Sequence, residues 1–300
     1  MIFSNLDKIP KDFGKKRKAP CTHKRMRSNM MLNPLKLKHL NCIDESEADM
    51  ITLNLEDAIA PSRKKEALEN IALFLSHLEH SPSFVIVRVN SLAEGGAEEI
   101  AFLNDFAFDA IRLPKVKSQE EIDEALSILG KEKALHISLE TKEALAMLSN
   151  IKTRGRLSVV NLGILDLLSS LDLPQSLVCI GNPSIDYILS KFLIDAKTAG
   201  LHPISFMFQD YENVETFRTW CEHEKRLGFE SKACMGPKQV SIAHEVFKLE
   251  DKALERAKHI KKAFETQAGL GVNGFMDADY GFIDEPIYRD SLLILSKEKI

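Results

Sequence analysis

The chain has 300 residues, 44% of them hydrophobic and 28% charged, enough to bury a large core as one big domain or two ordinary ones. A net charge of −4 argues against nucleic-acid binding by the whole chain, and no apolar run is long enough for a membrane span. The first residues lack the apolar core of a secretory signal, and the five cysteines (Cys21, Cys42, Cys179, Cys221, Cys234) form no C-x-x-C pair. A cytoplasmic protein with reduced thiols is expected, with neither a disulfide frame nor a zinc site.

In chain order, residues 1–27 form a basic arm in which Lys15, Lys16, Arg17, Lys18, Lys24, Arg25 and Arg27 cluster. Such a cluster reads as a solvated arm or a seat for an anionic partner. Strand-like apolar runs follow at "SNMMLN", "DMITLNLED", "FVIVRVN", "DAIRLPKV", "LHISLE", "LSVVNLG", "PISFMFQ" and "SKACMG", with helix-period segments between most of them. Pro61 and Ser62 supply a break and cap before the helix that follows the second run. Ser118 and Glu121 form a capping box, while Asn213 and Gly228 bracket another helix. His77 and His80 are spaced for one helix face, with Glu79 between them, and read as solvated.

This eightfold alternation predicts an α/β fold, a TIM (β/α)8 barrel over residues 28–250, with a C-terminal helical arm or lid over 251–300. An open doubly wound sheet has the same alternation. No glycine-rich G-x-G-x-x-G turn or P-loop follows any run, which removes the usual nucleotide-fold argument for it.

In a barrel, polar residues that end strands converge on one face. Glu56 and Asp57 end the second run, Arg88 and Asn90 the third, Lys115 the fourth and Glu140 the fifth. Asp166 lies just beyond the sixth, and Lys238 and Gln239 follow the eighth. Glu140 and Asp166 can offer carboxylate oxygens to one Mg²⁺, which takes hard oxygen ligands at about 2.0 to 2.1 Å and keeps positions for water or substrate. Arg88 can hold a carboxylate or a developing enolate oxygen through its planar fork. The plainer readings are salt-bridged or capping acids, and a structural ion pair between Arg88 and Glu56 or Asp57. Lys115 would also suit a Schiff-base aldolase, but that would leave the acid pair without a task.

The strings "LNLEDAIAPSRKKEA", "VIVRVN", "IRLPKV", "ISLET", "NLGILDL", "LGFESKACMGPKQV" and "GVNGFMDADYGFIDEP" stand in the order and approximate spacing of the citrate lyase beta subunit and malyl-CoA lyase family, within the HpcH/HpaI aldolase group. From about Arg27 to the C-terminus the chain resembles that family. The resemblance implies a TIM barrel that cleaves or forms a carbon–carbon bond between an acyl thioester, on CoA or an acyl carrier, and a keto acid, using Mg²⁺ and an enolate. It implies Glu140 and Asp166 as metal ligands, Arg88 as the residue polarising the carbonyl, and Glu56 and Asp57 lining the site. Arg88, Lys115 and Lys36 are the expected substrate-binding cations. The family's arm reaches over a neighbouring subunit in its homo-oligomers, here expected to be of trimer type, and its I-D-x-P motif would make Asp284 an acid/base group.

Four departures bear on the substrate. "LNPLKLK", with Asn33, Pro34 and Lys36, stands where a P-G-x-R-like loop is usual, and "ETKEAL" puts Glu143 and Ala144 where Arg and Gly are common. Gly236 replaces the histidine of an H-P-x-Q motif, and "HPISFMFQ" lacks an aspartate expected after the seventh strand. An acid at Glu143 is expected to repel a keto-acid carboxylate. The reading is therefore a Mg²⁺-dependent lyase acting on a citryl-, malyl- or citramalyl-type thioester. Its rivals are an aldolase acting on free 2-keto acids and a barrel altered into a binding or interaction protein.

Overall fold

The structure is a computed structural model, and it describes residues 25–298 apart from Cys42 and Asp44. Of the basic arm, Lys15, Lys16, Arg17, Lys18 and Lys24 lie outside the described residues, as does Cys21. Cys179, Cys221 and Cys234 are free thiols.

Each of the eight apolar runs forms a strand: β1 (Ser28–Leu32), β2 (Met50–Asn54), β3 (Phe84–Arg88), β4 (Ala110–Leu113), β5 (Ala134–Leu139), β6 (Leu157–Leu162), β7 (His202–Ile204) and β8 (Lys232–Cys234). They pair in parallel in the order β7-β6-β5-β4-β3-β2-β1-β8. The Ser205–Lys232 bridge and the Ser205 N–H bond to Ser231 O bring β7 back to β8. An open doubly wound sheet has two free edges; here the last two strands meet, so the sheet is a nearly closed barrel.

Nine helices belong to this unit among the described residues: α1 (Leu37–Leu40), α2 (Lys64–His77), α3 (Gly96–Leu103), α4 (Gln119–Ile128), α5 (Lys142–Met147), α6 (Ile164–Ser170), α7 (Pro183–Thr198), α8 (Val214–Leu227) and α9 (Pro237–Val246). The α4 cap is as expected, Ser118 Oγ accepting from Glu121 N, although Glu121 Oε2 reaches back one residue further, to Lys117 N at 2.7 Å. Asn213 Oδ1 caps α8 through Thr216 N at 3.1 Å, and Gly228 ends it at φ 109°, a left-handed backbone that glycine adopts without a Cβ penalty. Before α2 the expectation fails in detail. Pro61–Arg63 makes a 3-10 turn, and no side chain caps the helix. The helix ends at His77, so His80 is not on its face.

Strand alternation sorts the core into two compartments. Ile51, Leu53, Val85, Val87, Ile111 and Ile137 point outward against helix residues such as Ile71, Leu75, Ile122 and Phe192. Each such buried side chain contributes about 1.5–3 kcal/mol. Met50, Ile86, Ala110, Val159, Ile204 and Ala233 point inward and form an apolar floor. Further inward positions are polar: Thr52 Oγ1 donates to Asn29 Oδ1 at 2.8 Å, and Asn29 Nδ2 donates to Asn161 Oδ1 at 3.1 Å. His136, fully buried and stacked on Phe84, has its pKa pushed down by burial to about 3 and stays neutral.

Residues 248–298 form a second compact unit. It consists of α10 (Asp251–Ala268), an antiparallel hairpin of β9 (Gly274–Asp277) and β10 (Gly281–Asp284), and α11 (Glu285–Glu298), around a small core of Ile260, Phe264 and Ile283. The two helices were legible in the sequence, whereas the hairpin was not. Among the described residues no helix is long and apolar enough to cross a membrane.

Candidate active site

The stretch after β2 folds back on itself: Asn54 Oδ1 accepts from Glu56 N at 3.3 Å, Asn54 Nδ2 donates to Asp57 O, and Ala58 takes φ 69°. That turn holds Glu56 over the barrel lumen, where it is 1% exposed. Arg88, at the end of β3, meets it there. The Arg88 Nη2 atom lies 2.9 Å from Glu56 Oε2, 2.8 Å from Glu140 Oε1 and 3.7 Å from Asp57 Oδ2. Arg88 Nε is buried with no hydrogen-bond partner. The plain ion-pair reading of Arg88 is thus correct as geometry, but the cluster also draws in Glu140 from β5 and Lys115 from β4. Lys115 Nζ sits 2.7 Å from Glu56 Oε1 and 3.4 Å from Asp57 Oδ1, while its backbone N–H donates to Glu140 Oε2 at 3.0 Å. The backbone of Lys115 is left-handed, at φ 52°.

Burial pushes the Glu56 carboxyl above its ordinary pKa, and the Arg88 charge only partly offsets this. For Asp57 burial is outweighed by its hydrogen bond with Glu56 and by Arg88, so its pKa is lowered. Burial also opposes the charge on Lys115, but the Glu56 hydrogen bond and the charges of both acids raise its pKa. A Schiff-base lysine needs the opposite shift, toward the free amine. Lys115 is held as an ammonium.

Asp166 lies in the first turn of α6, and burial, then the charges of Glu140 and Asp57, raise its pKa. A carboxyl whose charge is disfavoured by burial and by neighbouring acids is what a hard cation relieves. The backbone makes room for this pairing at Gly163. A Cβ there would lie 2.3 Å from Glu140 Cγ and 2.9 Å from its Oε1, so only glycine lets the Glu140 side chain pass beneath the β6–α6 junction. Glu140 and Asp166 line one cavity of about 390 Å³ together with Leu113, Pro114, Lys115 and Lys117. The donor set and this cradle fit a magnesium ion held by Glu140 and Asp166.

A family profile described as HpcH/HpaI aldolase/citrate lyase matches residues 28–237. The chain belongs to that family. Among the relatives it resembles are a (3S)-malyl-CoA thioesterase of Cereibacter sphaeroides, 29% identical over 73% of this chain and 75% of that protein, and the citrate lyase subunit beta of Escherichia coli, 26% identical over 84% and 86%. A solved citrate lyase from Burkholderia xenovorans has the same fold, with a TM-score of 0.78 at 15% identity, covering 91% of each chain. So does protein CitE from Mycobacterium tuberculosis, solved with magnesium, acetoacetate and coenzyme A, with a TM-score of 0.72 at 18% identity over 91% of this chain and 98% of that one. The family match places the chain among aldolase and lyase enzymes.

The departures from the HpcH/HpaI pattern look different once placed. Asn33 Oδ1 caps its own turn at Leu35 N, and Lys36 is exposed at the start of α1, making none of the contacts of the Arg88 cluster. Glu143 is exposed in the first turn of α5, where the helix dipole favours an acid, and is not among the described residues lining the cavity. Its expected repulsion of a keto-acid carboxylate is not supported by that position. The place of a side chain at Gly236 is taken by the Tyr211 ring, 2.9 Å from where a Cβ would stand. Gln239 is fully buried and accepts from Met235 N at 2.7 Å, and Lys238 pairs with Glu212 at 2.8 Å. Asp284 belongs to the C-terminal unit, where its Oδ1 accepts from Ile287 N at 3.3 Å at the start of α11.

Arg112 joins the site from within a strand and not from a strand end. It points into the lumen below Glu140, with Nε donating to Ser138 Oγ at 2.7 Å and Nη2 4.0 Å from Glu140 Oε1. Burial and the Arg88 charge push its pKa down to about 9. The period of two within "IRLPKV" was the available signal, since Arg112 faces the same way as Arg88 in the strand register.

Proposed function

We propose that the protein is a Mg²⁺-dependent carbon–carbon lyase of citrate lyase beta-subunit type that cleaves a 3-hydroxyacyl thioester. One observation carries this reading: Arg88, Glu56 and Glu140 converge within 2.9 Å contacts beside a cavity that also holds Asp166. Bound by Glu140 and Asp166, the ion supplies Lewis-acid stabilisation of negative charge on substrate oxygen. In the retro-aldol direction the 3-hydroxyl gives its proton to the acid/base carboxylate and becomes the keto-acid carbonyl, the adjacent carbon–carbon bond breaks, and its electron pair moves into the thioester as an enolate. Arg88, held in place by Glu56 and Asp57, presents a buried guanidinium to that developing charge, in a site where such charge stabilisation is worth about 2.7–4 kcal/mol. Lys115 keeps Glu56 and Asp57 paired and so limits how many acids compete for Arg88. Asp284, which the resemblance to the family implies as the acid/base group, returns the proton to the enolate carbon and leaves the acetyl thioester.

The test is product analysis from citryl-CoA, malyl-CoA and citramalyl-CoA, with and without Mg²⁺, for wild type and Asp166→Asn. Release of acetyl-CoA with the keto acid, dependent on both Mg²⁺ and Asp166, supports the lyase. The likeness to a thioesterase favours one second reading, hydrolysis. Free CoA with an intact hydroxy acid would establish that reading and overturn the lyase.

A further inference from the structure

The cavity carries a cation that the chemistry above does not use. Lys117 lines it on the β4–α4 loop, and the backbone at that point is fixed on both sides. Val116 is fully buried, with its carbonyl accepting from Thr141 Oγ1 at 2.7 Å, and the Lys117 N–H donates to Glu121 Oε2 at 2.7 Å. The loop is therefore anchored while the ammonium has no carboxylate partner among the described residues. The other cations here are committed: Arg88 and Lys115 to Glu56 and Asp57, and Arg112 to Ser138 from a fully buried position. Of the further acids on the cavity wall, Glu121 is tied to the Lys117 N–H and Glu94 accepts from Ser91 Oγ at 3.1 Å.

Resting on the lyase reading of this cavity, we infer that Lys117 is a specificity residue that recognises a second, distal carboxylate on the keto-acid half of the substrate. The acid pair Glu140 and Asp166 with its ion would engage the oxygens next to the reacting carbon. A carboxylate one carbon further out needs a separate cation, and Lys117 is the one left free. An ammonium with three rotatable donors suits a carboxylate whose distance varies between substrates. Thioesters that release a dicarboxylic keto acid are then preferred over those that release a monocarboxylic one.

Malate and lactate are stable 2-hydroxy probes that differ by this distal carboxylate. Their binding to the full-length protein in Mg²⁺ is measured by titration calorimetry for wild type, Lys117→Met and Lys117→Arg. Wild type is expected to bind malate about two- to fivefold more tightly than lactate, the difference an ion pair at an exposed lysine can supply. Lys117→Met should lose that preference with lactate affinity unchanged, and Lys117→Arg should keep most of it. Equal binding of the two acids by wild type, no binding of either, or equal losses for both in Lys117→Met would overturn the inference. Failure of the lyase reading appears separately, as absent thioester cleavage with the malate preference intact.

Discussion

The barrel has two arcs that use charge in opposite ways. Along β2 to β6, Glu56, Asp57, Arg88, Lys115, Glu140 and Asp166 meet around a cavity, and the strand-end acids face a space large enough for a ligand. Along β7 and β8 the charged and polar groups are spent on holding the barrel closed. Lys232 and Glu224 pair at 2.6 Å with both side chains fully buried, Lys232 Nζ also donates to Phe206 O, and Ser205 Oγ donates to Glu224 Oε1. Gln239 and Tyr211 fill the rest of that arc. A buried charge on a barrel strand is thus evidence for chemistry only when its partners leave room for something else.

The largest effect expected from breaking this contrast is at Arg88. Arg88→Ala should lower kcat by about a thousandfold, the scale for losing an oxyanion-stabilising donor, with a fall in stability because buried Glu140 loses its nearest cation and Glu56 keeps only Lys115. Arg88→Lys, with charge but no fork, should fall between. Steady-state kinetics with the thioester identified above checks both, and a kcat within a few-fold of wild type would remove Arg88 from the chemistry.

Glu224→Ala should do the reverse. It strands a buried ammonium at Lys232 and should cost about 3–5 kcal/mol in urea denaturation, with kcat per folded molecule unchanged. A large kcat effect in the folded protein would erase the distinction between the arcs.

Gly163→Ala sharpens the first arc. Its Cβ would displace Glu140, so divalent-cation affinity should fall about 10–100-fold, the cost typical of disturbing a ligand's support. Equilibrium dialysis with Mn²⁺ reads this, and unchanged affinity would mean that Glu140 is not a ligand.

The smallest effect lies at the foot of β1 and β2. Asp49 is bound by Arg27 through contacts of 2.9 Å, and although burial opposes its charge, Arg27 holds its pKa below the ordinary 3.8. A lowered folded pKa contributes stability above the unfolded value and loses it as pH falls through the folded one. Below pH 3.8 the wild-type protein should therefore lose stability more steeply than Asp49→Asn, as followed by thermal melts across pH.

The barrel was legible because each strand is a bounded apolar run, even β7 and β8 with three residues apiece. Arg88, Glu56, Asp57, Lys115 and Glu140 were legible because they interrupt or end such runs. Arg112 was not, since it lies inside one, and Gly163 was not, because a close approach between side chain and backbone leaves no mark in a single sequence. Lys36 was assigned to the site from its loop, but the direction of that loop depends on the turn that Asn33 caps. The β9–β10 hairpin escaped because its pairing, Phe282 against Met276 and Ile283 against Phe275, spans glycines and exposed residues without a clean alternation.

The most direct measurement is Mn²⁺ binding followed by electron paramagnetic resonance in wild type, Glu140→Gln, Asp166→Asn and Glu224→Ala. The account predicts a single site per chain in wild type and in Glu224→Ala, weakened about a hundredfold or more in each of the two cavity variants, where a hard-oxygen ligand is lost. Wild-type affinity in both Glu140→Gln and Asp166→Asn would contradict it.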